Sequence, residues 1–309
     1  MAAADNEPRI MKQGAGVPWL YLAPALVMMA IFIVYPTITT IYLSLQNQTS
    51  TGSAAADCVP GQSCWGIFEN YHYALTSPIM LQAFRNNLLW IIFMVTGTIV
   101  IGLLVAVLAD RVPYESVAKA IIFLPMAISF VGAGVIWKFV YDYETGSVQI
   151  GLLNAILVKL GLAPVAWLQT GGVNNLALIV VGVWMWSGFC MTILSAALKG
   201  VPTEILEASR VDGANEWSVF WKIIVPMIMP TIAVVATTMV INVLKIFDIV
   251  YVMTGGNYGT EVIANRMYQE MYSAFHTGRA TAVAVVLIIL IIPFIYLNIR
   301  RFQAQEATR

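Results

Sequence analysis

The sequence predicts an all-α membrane protein with six transmembrane helices, and three observations predict it. Of 309 residues, 60% are hydrophobic and only 10% are charged, against roughly a quarter charged in soluble domains. Six stretches, 19–45, 88–109, 120–137, 173–198, 223–244 and 280–299, contain no Asp, Glu, Lys, Arg or His. About 20 helical residues at roughly 1.5 Å each cross a hydrocarbon core about 30 Å thick, so each stretch is long enough, or nearly so, to span a bilayer. Spans are therefore placed at about residues 19–45, 86–109, 117–140, 173–198, 228–252 and 280–299, forming one transmembrane unit over 19–301. An N-terminal segment, 1–18, precedes it and a tail, 302–309, follows.

The loops set the expected topology. Arg9, Lys12, Arg111, Lys119, Lys199, Arg210, Lys222, Arg300, Arg301 and Arg309 flank one side, against Arg85, Lys138, Lys159, Arg266 and Arg279 on the other. That bias predicts cytoplasmic termini, as an even number of spans also requires. The segment before Trp19 is not expected to be a cleaved signal, because the apolar stretch that follows is too long and lacks a small-residue cleavage site.

Composition excludes several functions. With 16 basic and 16 acidic residues, the chain has no electrostatic footprint for nucleic acid. No Gly-Lys dipeptide occurs, so a Walker phosphate loop cannot be present. His72 and His276 lie too far apart for a helical metal-hydrolase motif and read as interfacial loop residues.

The outer loops are expected at 46–85, 138–172 and 254–279. Cys58 and Cys64 lie in the first, where a disulfide between them is expected in an oxidising compartment, the alternative being two free thiols. Cys190, inside the fourth span, reads as a small packing residue. Met267, Tyr268, Met271, Tyr272 and Phe275 recur at helical spacing and predict an interfacial helix on the outer side.

The most informative inner segment follows the fourth span, at 199–227. It reads as a helix, a glycine break and a second helix. Thr203 is expected to cap the first helix, Gly213 to end it in a left-handed turn, and Asn215 to cap the second. Glu204 and Glu207 sit near the positive end of the first helix, and Trp217, Phe220 and Trp221 give the second an apolar face. A charged, amphipathic hairpin of this kind suits docking to another protein.

These residues resemble the permease subunits of binding-protein-dependent ABC importers. That family's coupling loop reads Glu-Ala-Ala, three residues, Gly, nine residues, Ile, one residue, Leu-Pro. Here Glu207-Ala208-Ser209, Gly213, Ile223 and Val225-Pro226 stand at that spacing, with Ser and Val replacing the second Ala and Leu. Phe247-Asp248, Thr254-Gly255-Gly256, Ala274-Phe275, Phe68-Glu69-Asn70-Tyr71 and Arg85-Asn86-Asn87 look like the sugar-importer branch, similar to the larger permease of maltose-type systems. Asn257 departs from it, standing where many sugar permeases have Pro. The run from Lys245 to Asn257 most resembles the α-glucoside subgroup.

The resemblance implies the type I ABC importer permease fold in a prokaryotic inner membrane. It implies a sugar, such as maltose, trehalose or sucrose, crossing between two different permeases after delivery by an external binding protein. Two copies of an ATPase subunit would bind ATP and Mg, and this chain would hold no cofactor. Glu207, Ala208, Ser209, Asp212, Gly213 and Pro226 would seat the hairpin in the ATPase. Matching along the chain also puts Met185, Trp186, Phe189, Thr238, Asn242 and Lys245 opposite sugar-contacting positions.

The residues themselves say less about substrate. Thr238, Asn242 and Lys245 share one helical face of the fifth span. Lys or Asp near the bilayer centre costs about 2.5–3.5 kcal/mol on insertion scales. Lys245 and Asp248 must therefore face a cavity, a partner subunit or each other. A structural ion pair and a polar pathway wall are both open, as are packing and sugar-stacking roles for Trp184, Trp186 and Phe189. Another polar solute, such as a glycerol phosphate, would suit the same fold. An ion-coupled secondary transporter would not need the hairpin, and a membrane scaffold would not need a polar face within a span.

Overall fold

The computed structural model describes residues 17–49, 57–58, 65–110, 112–146 and 148–307. Cys64 and the side chain of Cys58 lie outside the described residues, and with them the expected disulfide.

The first long helix, α1, covers 17–44: α-helical Val17–Met29, a π turn Ala30–Val34 and α-helical Tyr35–Ser44. Pro36 lacks the N–H that would continue the regular ladder, and the wide turn just ahead of it accommodates its ring. A two-residue antiparallel ribbon follows, β1 Gln48–Thr49 with β2 Asp57–Cys58. A short helix, α2 Ile67–Thr76, leads to α3, Pro78–Ala109, itself widened by a π turn at Ile91–Val95.

The expected third span is broken. Helix α4, Glu115–Phe123, runs into a 3-10 turn at Leu124–Ala127, and α5, Phe130–Val140, leaves it at 98°. Pro125 disfavours continued α-helix, and Ser129 starts α5 by accepting a hydrogen bond from the Gly132 N–H at 3.0 Å. After α6, Leu152–Lys159, the most buried of the long helices, α7 Val173–Lys199, passes through the middle of the bundle.

Beyond it come the hairpin helix α8, Thr203–Val211, and α9, Glu216–Leu244. The second arm of the hairpin is thus continuous with the fifth span, through a π turn at Phe220–Ile224 just ahead of Pro226. The span expected over 228–252 stops at Leu244 and resumes as α10, Asp248–Met253. Helices α11, Ile263–Tyr272, and α12, Thr277–Ala307, close the chain. Among the described residues, five helices are long and apolar enough to cross a membrane, and the bent α4–α5 pair makes a sixth crossing if it is one span.

Packing centres on α7. Trp90, Met94, Leu178, Val181, Leu194, Met239 and Ile249 form one buried core between α3, α7, α9 and α10. Small residues set the helix separation: a Cβ on Gly102 would lie 2.8 Å from the Cβ of Cys190, and one on Gly188 would lie 2.7 Å from the carbonyl of Ile122. Contact at that range suits membrane bundles, where dispersion takes over from the hydrophobic effect. Cys190 is fully buried at this contact, in keeping with a packing role. A second core joins α2, α3, α11 and α12 around Met80, Ile263 and Val283. Where α3, α4 and α7 end on the hairpin side, Lys119 pairs with Asp110 and, at 2.6 Å, with Glu115.

Candidate functional site: a polar recess at two helix breaks

The two interruptions meet. A recess of about 120 Å³ is lined by Phe130, the first residue after the break in the third span, and by Lys245, Ile246, Phe247 and Asp248 across the break in the fifth. Asn242, Trp186 and Met94 complete the lining. Backbone that leaves its helix inside a membrane is tolerated only where it is buried in protein or lines a cavity. Discontinuous helices beside a polar recess are therefore a pointer to a translocation site.

Each wall has its own cause. Lys245 ends α9 and Phe247 takes a non-helical conformation (φ −140°, ψ −61°) that redirects the chain into α10. Trp186 stacks on Phe130 with ring centroids 6.0 Å apart, and Phe189 meets Trp186 edge-on at 5.6 Å. Asn242 donates to the Thr238 carbonyl at 3.0 Å and keeps its amide oxygen for other partners. Lys245 is exposed on this chain. No ion pair joins it to Asp248 among the described residues, so the structural-pair alternative has no support here.

Of the residues aligned with sugar contacts, the structure brings Trp186, Asn242 and Lys245 together, with Phe189 one ring behind. Met185 is 2% exposed and lies outside the lining, because it points into the bundle one residue from Trp186 on α7. Thr238 donates to the Val234 carbonyl at 3.0 Å and faces Asn298 of α12 at 3.4 Å, away from the recess. Trp184 packs edge-on against Trp137. Met94, Phe130, Ile246 and Phe247 are the lining residues that helical periodicity missed. The Pro125 and Ser129 breaker signals within an apolar stretch were the clue to Phe130.

A set of buried asparagines holds this geometry. The Asn86 side chain donates to the carbonyls of Gly259 and Glu261 at 2.8 and 2.7 Å, and Asn174 donates to that of Tyr258 at 2.7 Å. Asn87 accepts from the Ile263 N–H at 3.0 Å while its amide faces the Val243 carbonyl at 3.4 Å, so it spans the fifth-span break. Buried backbone groups freed by the break and by the 254–262 loop are thereby satisfied. In that loop Glu261 accepts from Asn265 at 2.6 Å, and burial pushes its carboxyl above the usual range.

The hairpin stands apart from both cores. Helix α8 has no buried residue, and Glu207, Ala208, Asp212, Gly213 and Pro226 are all exposed. Gly213 adopts φ +83° and Asn215 accepts from the Ser218 N–H at 2.8 Å, as the sequence predicts. Thr203 is a correction: it is the first helical residue, Pro202 holds the cap position, and no side chain caps the helix. Arg210 pairs with Glu216 at 2.8 Å across the turn, which holds its guanidinium more firmly charged. Ser209 donates to the Leu206 carbonyl.

An apolar helical bundle with a polar recess at two helix breaks, and with an exposed hairpin after its fourth long segment, has the build of a membrane transporter subunit. Residues 98–306 match the model of the binding-protein-dependent transport system inner membrane component. Over 291 residues the chain is 53% identical to the osmoprotective compounds uptake permease protein GgtC of Synechocystis sp., covering 94% of this chain and 100% of that one. Over 285 residues it is 46% identical to the alpha-glucoside transport system permease protein AglF of Rhizobium meliloti, covering 92% and 81%. The fold also matches a bacterial ABC transporter for import of the acidic polysaccharide alginate, with TM-score 0.73, 22% identity and coverage of 92% and 95%. The chain belongs to the family of inner-membrane permease components of binding-protein-dependent ABC transporters. It is a non-enzymatic membrane subunit, the ATPase being a separate partner.

Proposed function

We propose that this permease forms half of an import pathway for α-glucosides or similar small sugars and polyols, and that the polar recess is its contribution to the sugar site. The observation that carries this reading is the meeting of two broken spans at Asn242, Lys245 and Asp248, which lipid cannot satisfy. Neutral sugars offer hydroxyl groups to such donors and acceptors and C–H faces to Trp186 and Phe189. Two relatives, a transporter of alpha-glucosides and one of osmoprotective compounds, support the substrate class.

A recess of about 120 Å³ is smaller than the roughly 300–1,000 Å³ of a complete ligand pocket. A second, different permease supplies the other wall, and Lys245, exposed here, faces it. The hairpin, with Glu207, Ala208, Ser209, Asp212 and Gly213, docks in one of two ATPase subunits, which bind ATP and Mg; Pro226 sets its return into the membrane. Both termini are cytoplasmic, in a prokaryotic inner membrane, and a binding protein delivers the sugar from outside.

In the reconstituted transporter, Asn242→Ala and Lys245→Met should each lower sugar uptake by about tenfold or more, the loss of one to two buried hydrogen bonds, while the complex still assembles. Unchanged uptake in both variants would remove the recess from the pathway.

A further inference from the structure

The seam between α5 and α10 carries a second cleft. Phe130 and Asp248 border the recess, whereas Lys138 and the residues from Tyr251 to Gly255 border an open cleft of about 430 Å³ further along the same two helices. Eight residues from Phe130 to Lys138 at roughly 1.5 Å each put it about 12 Å toward the 254–262 loop. Unlike the recess, it falls within the size range of a complete small-ligand pocket.

Its walls are fixed, Asp142 accepts from the Tyr143 N–H at 3.0 Å with one carboxylate oxygen, and two of its polar side chains are uncommitted. Asn154, fully buried, donates to the carbonyls of Asp142 and Val165 at 2.8 and 3.0 Å and accepts from the Val165 N–H and the Trp167 indole N–H. On the opposite side the Asn174 bond to the Tyr258 carbonyl pins the loop. Between them, the Lys138 ammonium and the Gln169 amide make no hydrogen bond or ion pair among the described residues, although Asp142 is one helical turn from Lys138.

Tyr258 is the telling residue. Its backbone is held at φ +55°, a conformation costly for a bulky side chain, and strain of this kind persists only where surrounding structure enforces it. Yet the ring is 58% exposed and stacks on no other ring among the described residues. The fold thus holds a strained, largely exposed tyrosine on the border of this cleft, where it also borders a neighbouring cavity beside Asn86 and Asn174, rather than in a core.

We propose that this cleft is a second carbohydrate subsite, in which Tyr258 stacks on a pyranose face while Lys138, Asp142 and Gln169 bind its hydroxyls, one step outward of the recess. The proposal rests on the sugar-import reading above. It assigns the chain a place where sugar rests between delivery and the membrane interior.

The test uses the complete transporter in lipid nanodiscs, without nucleotide or binding protein, and whichever of maltose, trehalose or sucrose the wild type imports. Binding is measured by calorimetry at millimolar sugar. Tyr258→Gly accepts the left-handed backbone without strain, so its thermal midpoint should equal or exceed that of the wild type, yet its sugar affinity should fall about tenfold, the scale of one lost aromatic contact. Tyr258→Phe should bind within about threefold of the wild type. Wild-type affinity in Tyr258→Gly would overturn the subsite. So would loss of binding-protein-stimulated ATP hydrolysis alone with sugar binding intact, which would assign Tyr258 to a protein contact. A wild type that imports sugar but binds none in this state refutes the subsite and leaves the import reading standing. A wild type that imports no sugar refutes both.

Discussion

Individual side chains divide into those that carry the recess and those that hold its frame. Lys245 has no ion-pair partner among the described residues and stands exposed at a helix end, so its charge is available to a substrate or to the facing subunit. Asn86 belongs to the frame. Replacing it by Ala strands the Glu261 carbonyl in a buried site and leaves that of Gly259 only its Asn175 bond at 3.3 Å, at about 1–3 kcal/mol, and the thermal midpoint of the purified complex should drop by several degrees. Glu261 adds a pH dependence. Burial raises its folded-state pKa above the unfolded value, so the folded chain binds this proton more tightly than the unfolded chain does. Its contribution is complete below the unfolded carboxylate pKa and declines as pH rises through the raised folded value. Thermal stability should therefore improve on mild acidification, and Glu261→Gln should flatten that profile; a wild-type profile unaffected by the substitution would assign the effect elsewhere.

At the scale of elements, the apolar stretches made the helices legible because burial in lipid leaves a composition signal that no tertiary contact can hide. The hairpin was equally readable, since Gly213 and Asn215 act through local backbone chemistry. The two breaks were not. Periodicity over 228–252 continues smoothly through Lys245, and what stops the helix there is a long-range contact, Asn87 reaching the Val243 carbonyl and the Ile263 N–H. Met185 and Thr238 miss the recess for a different reason: both lie on continuous helices, but Met185 is buried in the bundle and Thr238 faces Asn298 of α12. The hairpin yields a sharp expectation. A Cβ at Gly213 would meet nothing within 4 Å, so Gly213→Ala costs only the left-handed strain of roughly 1–2 kcal/mol. Gly213→Glu adds bulk and charge on the same exposed turn. Both chains should insert and fold, but the Glu variant should lose ATP-driven uptake while Ala retains part of it, as transport assays on matched amounts of complex would show.

Across the whole molecule, the distribution of apolar surface indicates a subunit rather than a finished machine. No residue in the most apolar part of α1 is buried, the recess opens beside exposed Lys245, and α8 offers no residue to either core. The recess and the hairpin are thus both at the surface of the chain, the hairpin open to the ATPase that family membership implies. In the proposed mechanism force enters through the exposed hairpin at Gly213 and is expressed at the broken spans around Lys245. Uptake of labelled sugar into proteoliposomes holding the complete complex tests it most directly, with wild-type and Gly213→Glu chains compared at equal assembly. ATP-dependent accumulation is expected from the first and none from the second. Accumulation by the Gly213→Glu complex at the wild-type rate, or by this chain alone without nucleotide, would contradict the mechanism.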